Sequence, residues 1–229
     1  MSGIWGTRDV PWIPPELAEP DGFVGVGGDL APRTLLRAYA EGVFPWFNEG
    51  DPILWWSPDP RGVIELRPNP DDSEYGGLHV SRRLARTIRS GKFRVTFDKC
   101  FATVMRLCGE TRPEGTWVTP DMLRAYTELH RLGHAHSVET WVGDELAGGT
   151  YGLAIGGLFA AESMFYRVTD GSKVALAGLV RQLRNRGFAL LDVQMKTEHT
   201  STMGATEIPR TEYLKRLRKA VGMMGVSFR

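Results

Sequence analysis

Cysteines and long apolar runs are both scarce in this chain of 229 residues. The two cysteines, Cys100 and Cys108, form no Cys-x-x-Cys pair, which is a poor match to a disulfide framework or a zinc site. No stretch of about 18 consecutive apolar residues occurs, and the N-terminus lacks the basic start and apolar core of a signal peptide. We therefore expect a soluble, cytoplasmic protein without a membrane span.

An excess of charge of either sign is also lacking. Lysine and arginine number 28 and aspartate and glutamate 27, so the molecule has no global field that attracts polyanions. Binding of nucleic acid would then need a local basic patch. Hydrophobic residues make up 42% of the chain, which is enough for a packed globular core.

Local patterns predict helices early in the chain and strands later. One helix begins at Pro32 and ends before Gly42. From His136 the apolar period changes from 3.6 to 2, with a hairpin turn at Gly143. A helix capped by Asp170, another strand and two more helices follow.

This order of elements is typical of an α+β fold, in which a mostly antiparallel sheet is covered by helices. The first part of the chain is rich in Pro, Gly and Trp. We predict a small N-terminal domain, residues 1–65, and a larger C-terminal domain, residues 66–229. The polar segment 68–77 is predicted to be a surface loop.

Polar side chains interrupt two apolar, strand-like runs. Asp192 and Gln194 are two residues apart and so are expected on one face of their strand. Without a bulge, Glu162 would share a face with Met164 and Ala160. If the two strands are close, the result is a cleft that suits an amine and an apolar acyl group together. A carboxylate taken alone is more often a structural partner for an arginine or a backbone N–H, and it is the two together that favour a functional site.

Tryptophans and arginines raise the question of nucleic-acid binding. Trp46, Trp55 and Trp56 lie among prolines, where they predict either a small aromatic core or a platform on which bases stack at about 1–3 kcal/mol each. A helix capped by Ser81 carries a basic face that is either merely solvated or binds phosphates. Its members are Arg82, Arg86 and Arg89, enlarged by Arg83, Lys92 and Arg94.

Three histidines, His130, His134 and His136, lie at the end of a helix. A helix C-terminus is favourable for histidine, and the break at Gly133 separates the three side chains. We therefore predict no metal site.

Nine segments together resemble bacterial leucyl/phenylalanyl-tRNA–protein transferases, from about Gly22 to Leu217. They are GGDLAPRTLLRAYAEGVFPWF, PILWWSPDPR, HVSRRL, GTWVTP, AYTELHRLGHAHSVETW, LAGGTYGLAIGGLFAAESMF, SKVAL, LLDVQ and MGATEIPR. The resemblance implies an acetyltransferase-like (GNAT) core in the larger domain. It also implies transfer of Leu or Phe, and less readily Met, from aminoacyl-tRNA to the α-amino group of proteins that begin with Arg or Lys. Such products carry an N-degron that directs proteolysis.

The resemblance implies residue roles as well. Asp192 would orient or deprotonate the amine, Gln194 would hold Asp192 or the substrate, and Glu162 would bind the positive end of the acceptor. The pocket for the transferred side chain would be Thr150, Phe159, Met164, Leu179 and Leu191. The terminal adenosine would be held by Trp46 and Trp117, and the tRNA backbone by Arg82, Arg83, Arg86 and Arg89.

No metal or soluble cofactor is expected, because an aminoacyl ester is already activated and an α-amino group with a pKa of about 7.7–8 is partly neutral at pH 7. The expected partners are aminoacyl-tRNA and the acceptor protein, and the family implies a monomer. The sequence alone is compatible with two mechanisms. Either Asp192 is a true general base, or the ribose hydroxyl of the tRNA shuttles the proton.

Three other functions compete with this interpretation. An acyl-CoA-dependent acetyltransferase needs a glycine-rich turn for pyrophosphate, whereas YRVTDGSK has one glycine. A non-catalytic RNA-binding protein would use the tryptophans and arginines but would not need Asp192. A tRNA-dependent transferase of peptidoglycan synthesis is disfavoured by the short chain.

Overall fold

The computed structural model describes residues 10–66, 74–110 and 118–229. A three-stranded sheet and one helix come first: β1 (Phe23–Val26), α1 (Pro32–Ala40), β2 (Phe44–Pro45) and β3 (Leu54–Trp56), with sheet order β1-β3-β2. Pro32 occupies the start of α1, where its missing N–H breaks no helical hydrogen bond. Gly42, at φ 85°, follows the helix end. The predicted helix is confirmed.

A larger sheet flanked by helices follows. Its elements are β4 (Arg61–Ile64), α2 (Arg82–Arg89), β5 (Arg94–Phe97), α3 (Phe101–Glu110), α4 (Pro120–Arg131), β6 (Ala135–Val142), β7 (Glu145–Ile155), β8 (Leu158–Tyr166), α5 (Gly171–Asn185), β9 (Leu190–Gln194), α6 (Glu198–Thr202), β10 (Thr206–Ile208) and α7 (Arg210–Val221). Within the described residues the strand order is β10-β4-β9-β8-β7-β6-β5.

The larger sheet is mixed. Strands β8 and β9 run parallel, while the other neighbouring pairs of this sheet in the described chain are antiparallel. A parallel pair needs a crossover connection, which α5 provides between β8 and β9. The predicted α+β class, with a small N-terminal part and a larger sheet-and-helix part, is confirmed.

Strand β4 belongs to the larger sheet although it precedes residue 66. It pairs with β9 on one side and β10 on the other, and all four of its residues are buried. The sheet therefore takes in residues 61–64, which the predicted division assigned to the N-terminal domain. The prolines around this strand conceal it in the sequence.

Buried side chains pack on both faces of the larger sheet. On one face, α3, α4 and the N-terminal part share a core that includes Tyr39, Trp55, Tyr126 and Tyr151. On the other face, α5 packs against a second core. Trp55 is fully buried, with its ring centroid 4.7 Å from that of Trp12. Of the two interpretations of the tryptophans, Trp55 fits the aromatic core.

The predicted loop 68–77 lies mostly outside the described residues, and its described part, 74–77, is a turn. In the described parts of the chain, no helix combines the length and apolar character needed to cross a membrane.

Candidate active site

A cavity of about 330 Å³ opens where the parallel strands β8 and β9 separate. The two strands pair only from Leu158 to Ala160, opposite Leu190 to Asp192. Beyond this pairing each strand contains a bulge. The cavity lies in the resulting gap, and its lining includes residues of β2, β7, β8, α5 and β9.

The bulge in β8 is centred on Glu162. Tyr151 of β7 lies opposite Ser163 and Gly152 lies opposite Ala161, so Glu162 is the additional residue. The expectation that Glu162 and Met164 share a face is therefore wrong, because the bulge shifts the alternation of side chains. Glu162 points toward the core of α1 and α4, whereas Met164 packs against the core of α5. Both side chains still line the cavity.

Glu162 is the end of a buried chain of hydrogen bonds. Its Oε1 accepts from the Tyr39 hydroxyl at 2.7 Å and from Gln194 Nε2 at 2.8 Å. The Tyr39 and Tyr126 hydroxyls are 2.5 Å apart. Because Tyr39 gives its one proton to Glu162, Tyr126 donates to Tyr39. Helices α1 and α4 thus fix the carboxyl group at the cavity wall.

Burial makes Glu162 a weak acid. Desolvation raises its pKa to about 8; the hydrogen bond from Tyr39 opposes this rise and the negative charge of Asp192 adds to it. Burial also raises the pKa of Tyr39 and of Tyr126 well above the usual value, so both remain neutral donors. The carboxyl group therefore carries its proton at pH 7 and releases it near pH 8.

Asp192 is fully buried and is not one of the residues that line the cavity. Arg61 binds it bidentately, with Nε–Oδ1 at 2.9 Å and Nη2–Oδ2 at 2.7 Å. The Tyr213 hydroxyl donates to Oδ2 at 2.8 Å. Burial acts to lower the pKa of Arg61, but the charge of Asp192 outweighs it and the pKa is raised. Arg61 therefore stays cationic although it is buried.

Gln194 has a left-handed backbone, at φ 63°. This conformation is strained for a residue with a side chain. It closes a tight turn, in which Met195 N–H donates to the Val193 carbonyl at 2.8 Å. The N–H of Gln194 donates to Asp192 Oδ1 at 2.8 Å, which holds the turn in place.

The bulge in β9 separates Asp192 from Gln194. Asp192 lies opposite Val63 and Gln194 opposite Gly62, so Val193 is an additional residue. The expectation that Asp192 and Gln194 point to one face is therefore wrong, because the alternation is broken between them. Gln194 lines the cavity, whereas Asp192 lies behind it.

Two family models match the chain. That of leucyl/phenylalanyl-tRNA protein transferases matches residues 74–218, and that of their N-terminal domain matches residues 28–59. The chain belongs to the leucyl/phenylalanyl-tRNA protein transferase family. It is an aminoacyltransferase, and the resemblance seen in its motifs is confirmed.

Relatives of this transferase match over most of its length. One from Anaeromyxobacter sp. (strain Fw109-5), named leucyl/phenylalanyl-tRNA–protein transferase, is 53% identical over 93% of this chain and 88% of the relative. One of the same name from Nitrosospira multiformis is 48% identical over 94% of each chain. A solved structure from Staphylococcus epidermidis ATCC 12228, of a conserved protein described as functionally unknown, is 8% identical with a TM-score of 0.43 over 82% of this chain and 68% of that one.

The aminoacyl pocket expected for the transferase overlaps the cavity in part. Thr150 and Met164 line it. Phe159, Leu179 and Leu191 do not, because they are buried in the core against α5. Phe159 and Leu191 lie opposite each other in the closed part of the parallel pair. The apolar lining residues that were not predicted from the sequence are Phe44, Pro45, Ala161, Leu176, Val193 and Met195.

Of the two tryptophans assigned to the adenosine, the structure describes Trp46. Trp46 lies at the cavity and 45% of it is exposed, so its ring is accessible to a base. Trp117 lies outside the described residues. The only signal for Phe44 and Trp46 in the sequence was the FPWF motif.

Helix α2 presents the predicted basic face of the transferase. Ser81 caps the helix, accepting the N–H of Leu84 at 3.2 Å. The side chains of Arg82, Arg86 and Arg89 are exposed and have no ion-pair partner in the described parts of the chain.

Arg83 differs from its three neighbours on α2. It binds both oxygens of Asp170, at 2.8 and 2.9 Å. Asp170 was expected to cap α5 with its side chain, but its carboxylate binds Arg83 instead and makes no capping hydrogen bond.

Two of the three histidines in the predicted cluster have non-metal partners. His136 Nδ1 is 2.9 Å from Asp98 Oδ2, and His130 stacks on Phe101 at 4.5 Å. Within residues 10–66, 74–110 and 118–229, no three metal-binding side chains come together.

The raised pKa of Glu162 predicts how stability of the transferase varies with pH. Its folded-state pKa is about 8 against a usual value of 4.5, so the folded state keeps a proton that the unfolded state loses. The free energy of unfolding should therefore fall between pH 5 and 8, on the order of 3 kcal/mol from this group. Glu162→Gln should abolish that fall.

Urea denaturation of both proteins at pH 5, 6, 7 and 8 measures the effect. The exposed Glu145→Gln serves as the matched control and should follow the parent protein. Parallel curves for Glu162→Gln and the parent would show that Glu162 titrates normally.

Proposed function

We propose that the protein transfers Leu or Phe, and less readily Met, from aminoacyl-tRNA to the α-amino group of proteins that begin with Arg or Lys. The observation that carries this proposal is the cavity at the split between β8 and β9. It combines apolar walls with one weakly acidic carboxyl group, Glu162, and one amide, Gln194. An apolar acyl group and an amine can meet there.

The apolar walls fit the side chain of the donor amino acid. The part of the cavity that would hold this side chain is lined by Met164, Leu176 and Val193 and by the small Ala161. A cavity of about 330 Å³ is at the small end of the range for ligand sites, roughly 300–1,000 Å³. Thr150 adds no free polar group, since its hydroxyl donates to the Ser163 carbonyl at 2.9 Å. Leu and Phe are side chains of suitable polarity.

The rest of the donor is an RNA. Trp46 is exposed beside the cavity, where its indole can stack on the terminal adenosine, and the family resemblance gives Trp117 the same role. Arg82, Arg86 and Arg89 form a basic face that can contact phosphates. Arg83 contributes less to such binding because Asp170 already neutralises it.

Glu162 is the group in the cavity that contacts the α-amino group of the acceptor. When the α-amino group enters, its nitrogen attacks the ester carbonyl carbon, the bond from that carbon to the ribose oxygen breaks, and the ribose oxygen leaves as a hydroxyl. The α-amino group enters in its ammonium form and gives one proton to the ionised form of Glu162 before it attacks; the second proton that the nitrogen loses on forming the amide passes to the leaving ribose oxygen. The Glu162 pKa of about 8 matches the pKa of about 7.7–8 of an α-amino group, so this transfer is nearly balanced in free energy.

Asp192 acts as a positioning residue in this scheme. Arg61 and Tyr213 occupy its oxygens, and its remaining contact is the N–H of Gln194. By holding the turn at Gln194 it aims the Gln194 amide at Glu162. This arrangement favours Glu162 over Asp192 as the proton acceptor, with the ribose oxygen taking up a proton as it leaves.

Several broader features belong to the same proposal. The parallel pair β8 and β9 inside a mostly antiparallel sheet supports the acetyltransferase-like (GNAT) core that the resemblance implies. The reaction needs no metal or soluble cofactor, since the ester supplies the activation. The enzyme acts as a cytoplasmic monomer, where aminoacyl-tRNA is available, and its products are N-degrons for proteolysis.

A direct transfer assay tests the proposal. The protein is incubated with radiolabelled Leu-tRNA and a peptide that begins with Arg, beside the same peptide beginning with Ala. We expect label on the Arg peptide and little on the Ala peptide, in line with the preference for Arg or Lys that the family resemblance implies. Absence of transfer to the Arg peptide, with retained tRNA binding, would favour a non-catalytic RNA-binding protein.

A further inference from the structure

Lys173 places a positive charge at one edge of the cavity. Leu176 of α5 lines the cavity, and Lys173 lies one turn earlier on the same face of this helix. His199 of α6 lines the cavity as well. Burial and, after it, the positive charge of Lys173 lower the pKa of His199, so the two side chains are close enough to interact. Lys173 therefore lies where α5 and α6 meet at the cavity.

No acid neutralises Lys173 in the described parts of the chain. Its side chain is partly buried and forms no ion pair there. Asp170, the acid nearest in sequence, gives both of its oxygens to Arg83. Glu198, next to His199 on α6, is exposed and makes no ion pair with Lys173. A partly desolvated ammonium group without an acid gains free energy when an anionic ligand supplies the missing partner.

The two carboxyl groups of the site do not cancel this positive charge. Glu162 has a pKa of about 8 and is mostly protonated at pH 7. Asp192 lies behind the cavity wall and binds Arg61 through both oxygens. The edge of the cavity at Lys173 therefore keeps a net positive charge, which attracts an anion rather than a second cation.

The cationic edge continues the basic face of α2. The ion pair between Arg83 and Asp170 joins the first turn of α2 to the residue before α5. The segment before α2 is held to the end of α6, because the N–H of His79 donates to the Met203 carbonyl at 2.9 Å. Helix α2 thus adjoins both helices that border this edge. Lys173, in the first turn of α5, lies on the way from the basic face to the cavity.

We propose that Lys173 binds the 5′-phosphate of the donor's terminal adenosine and so positions the aminoacyl end in the cavity. This rests on the proposed function, since the adenosine must stack on Trp46 while its aminoacyl group enters the cavity. The base, the aminoacyl ester and this phosphate are all attached to one ribose, so a nucleoside held at the cavity brings its phosphate to the edge. The ammonium group of Lys173 then donates charge-assisted hydrogen bonds to the phosphate oxygens.

Three donors that differ in their phosphates provide the test. They are Leu-tRNA, leucyl-adenosine with the leucine on the 2′ or 3′ oxygen, and the same leucyl-adenosine with a 5′-phosphate. Transfer to one Arg peptide is measured with each donor. We expect the KM of the phosphorylated leucyl-adenosine to lie about three- to tenfold below that of leucyl-adenosine, as for one charged contact that water partly screens. Lys173→Met should abolish this difference and leave the KM of leucyl-adenosine unchanged, whereas Lys173→Arg should keep most of it.

Two control variants separate this contact from the rest of the RNA-binding surface. Arg86→Met changes the basic face of α2, so it should raise the KM of Leu-tRNA but of neither leucyl-adenosine. Lys219→Met changes an exposed residue of α7, a helix absent from the cavity lining in the described chain, and should alter no KM. With Leu-tRNA, Lys173→Met should also make the dependence of log KM on log salt concentration less steep by about 0.7.

His199 provides a measurement that does not depend on turnover. Its pKa is followed by NMR in the presence of AMP or adenosine, and the His199→Gln spectrum assigns its signal among the five histidines. AMP should raise the pKa of His199, because its phosphate neutralises Lys173, whereas adenosine should not. Lys173→Met should raise the pKa of His199 without any ligand.

The outcomes separate this proposal from the transfer reaction itself. If Lys173→Met reacts like the parent with every donor, the phosphate contact does not exist and the transfer function stands. If the variant raises the KM of both leucyl-adenosines alike, Lys173 acts on the nucleoside or on the fold, and the proposal is overturned. If only Leu-tRNA reacts, its salt dependence and the response of His199 to AMP decide. Failure of all three donors overturns the proposed function, and an unchanged His199 pKa with AMP then overturns the phosphate contact as well.

Discussion

Glu162→Gln should lower the rate of transfer by about 10²–10⁴-fold, the usual contribution of a general base. Glutamine has nearly the shape of the protonated carboxyl group, and its Oε1 can still accept from Tyr39 and Gln194. It cannot take a proton from the amine. The loss should therefore be chemical, with folding intact.

Single-turnover transfer from saturating Leu-tRNA to an Arg peptide, between pH 6 and 9, measures this loss. The control Glu145→Gln should transfer at the parent rate, since Glu145 is exposed on the β6–β7 hairpin. The KM for Leu-tRNA should be the same in all three proteins. If the Glu162→Gln enzyme transfers at a rate within a few fold of the parent, Glu162 is not the general base, and the ribose oxygen of the tRNA must carry the proton instead.

Arg61→Met should cost about 3–5 kcal/mol of unfolding free energy, because it leaves Asp192 charged, buried and without its cation. Both side chains of the pair are 1% exposed, so water does not replace the guanidinium. Arg61 also lies over the rings of Phe44 and Tyr213, at 4.9 and 4.5 Å. Methionine keeps part of the apolar contact with these two rings, so the change in unfolding free energy reports mainly on the loss of the positive charge.

Urea denaturation at pH 7 measures this cost against two controls. Arg131→Met removes an exposed pair with Glu128 and should leave the stability close to that of the parent, because solvent screens an exposed ion pair. The double variant Arg61→Met/Asp192→Leu removes both charges and should regain most of the loss, since an apolar pair of similar volume replaces a buried ion pair at little cost. A double variant less stable than Arg61→Met would refute this account of the pair.

Local chemistry is what made part of the fold predictable. Pro32 and Gly42 mark the ends of α1, and Gly143 marks the hairpin between β6 and β7. These signals act within a few residues of the chain. Glu162 and Gln194 were also identifiable, because a polar side chain in an apolar strand needs a specific partner. Their direct hydrogen bond was not foreseeable from spacing.

Long-range contacts account for most of what the sequence did not predict. The bulges at Glu162 and Val193 break the alternation of side chains, and no local pattern announces them. Glu162 is held by a tyrosine 123 residues away, and Asp192 by an arginine 131 residues away. Phe159 was therefore expected in the pocket, although the closed part of the parallel pair buries it in the core.

Strand β4 could not be predicted from the sequence for a different reason. Its first residue, Arg61, ends the WWSPDPR motif, in which the prolines indicate a loop. The strand begins directly after Pro60 and is completed by β9 and β10, which follow much later in the chain. A strand of four residues has too little periodicity to be recognised alone. Arg61 at its start was consequently missed as the partner of Asp192.

The separation between Arg61 and Asp192 sets an order of events during synthesis. The two residues are 131 positions apart, so a ribosome that adds about 5–20 residues per second delivers the aspartate roughly 7–26 s after the arginine. Tyr213, which binds the same aspartate, emerges later still. The buried contacts that hold the turn at Gln194 therefore cannot form on a nascent chain that still lacks β9. The contact between Glu162 and Gln194 at the cavity wall is therefore among the last to form as the chain is synthesised.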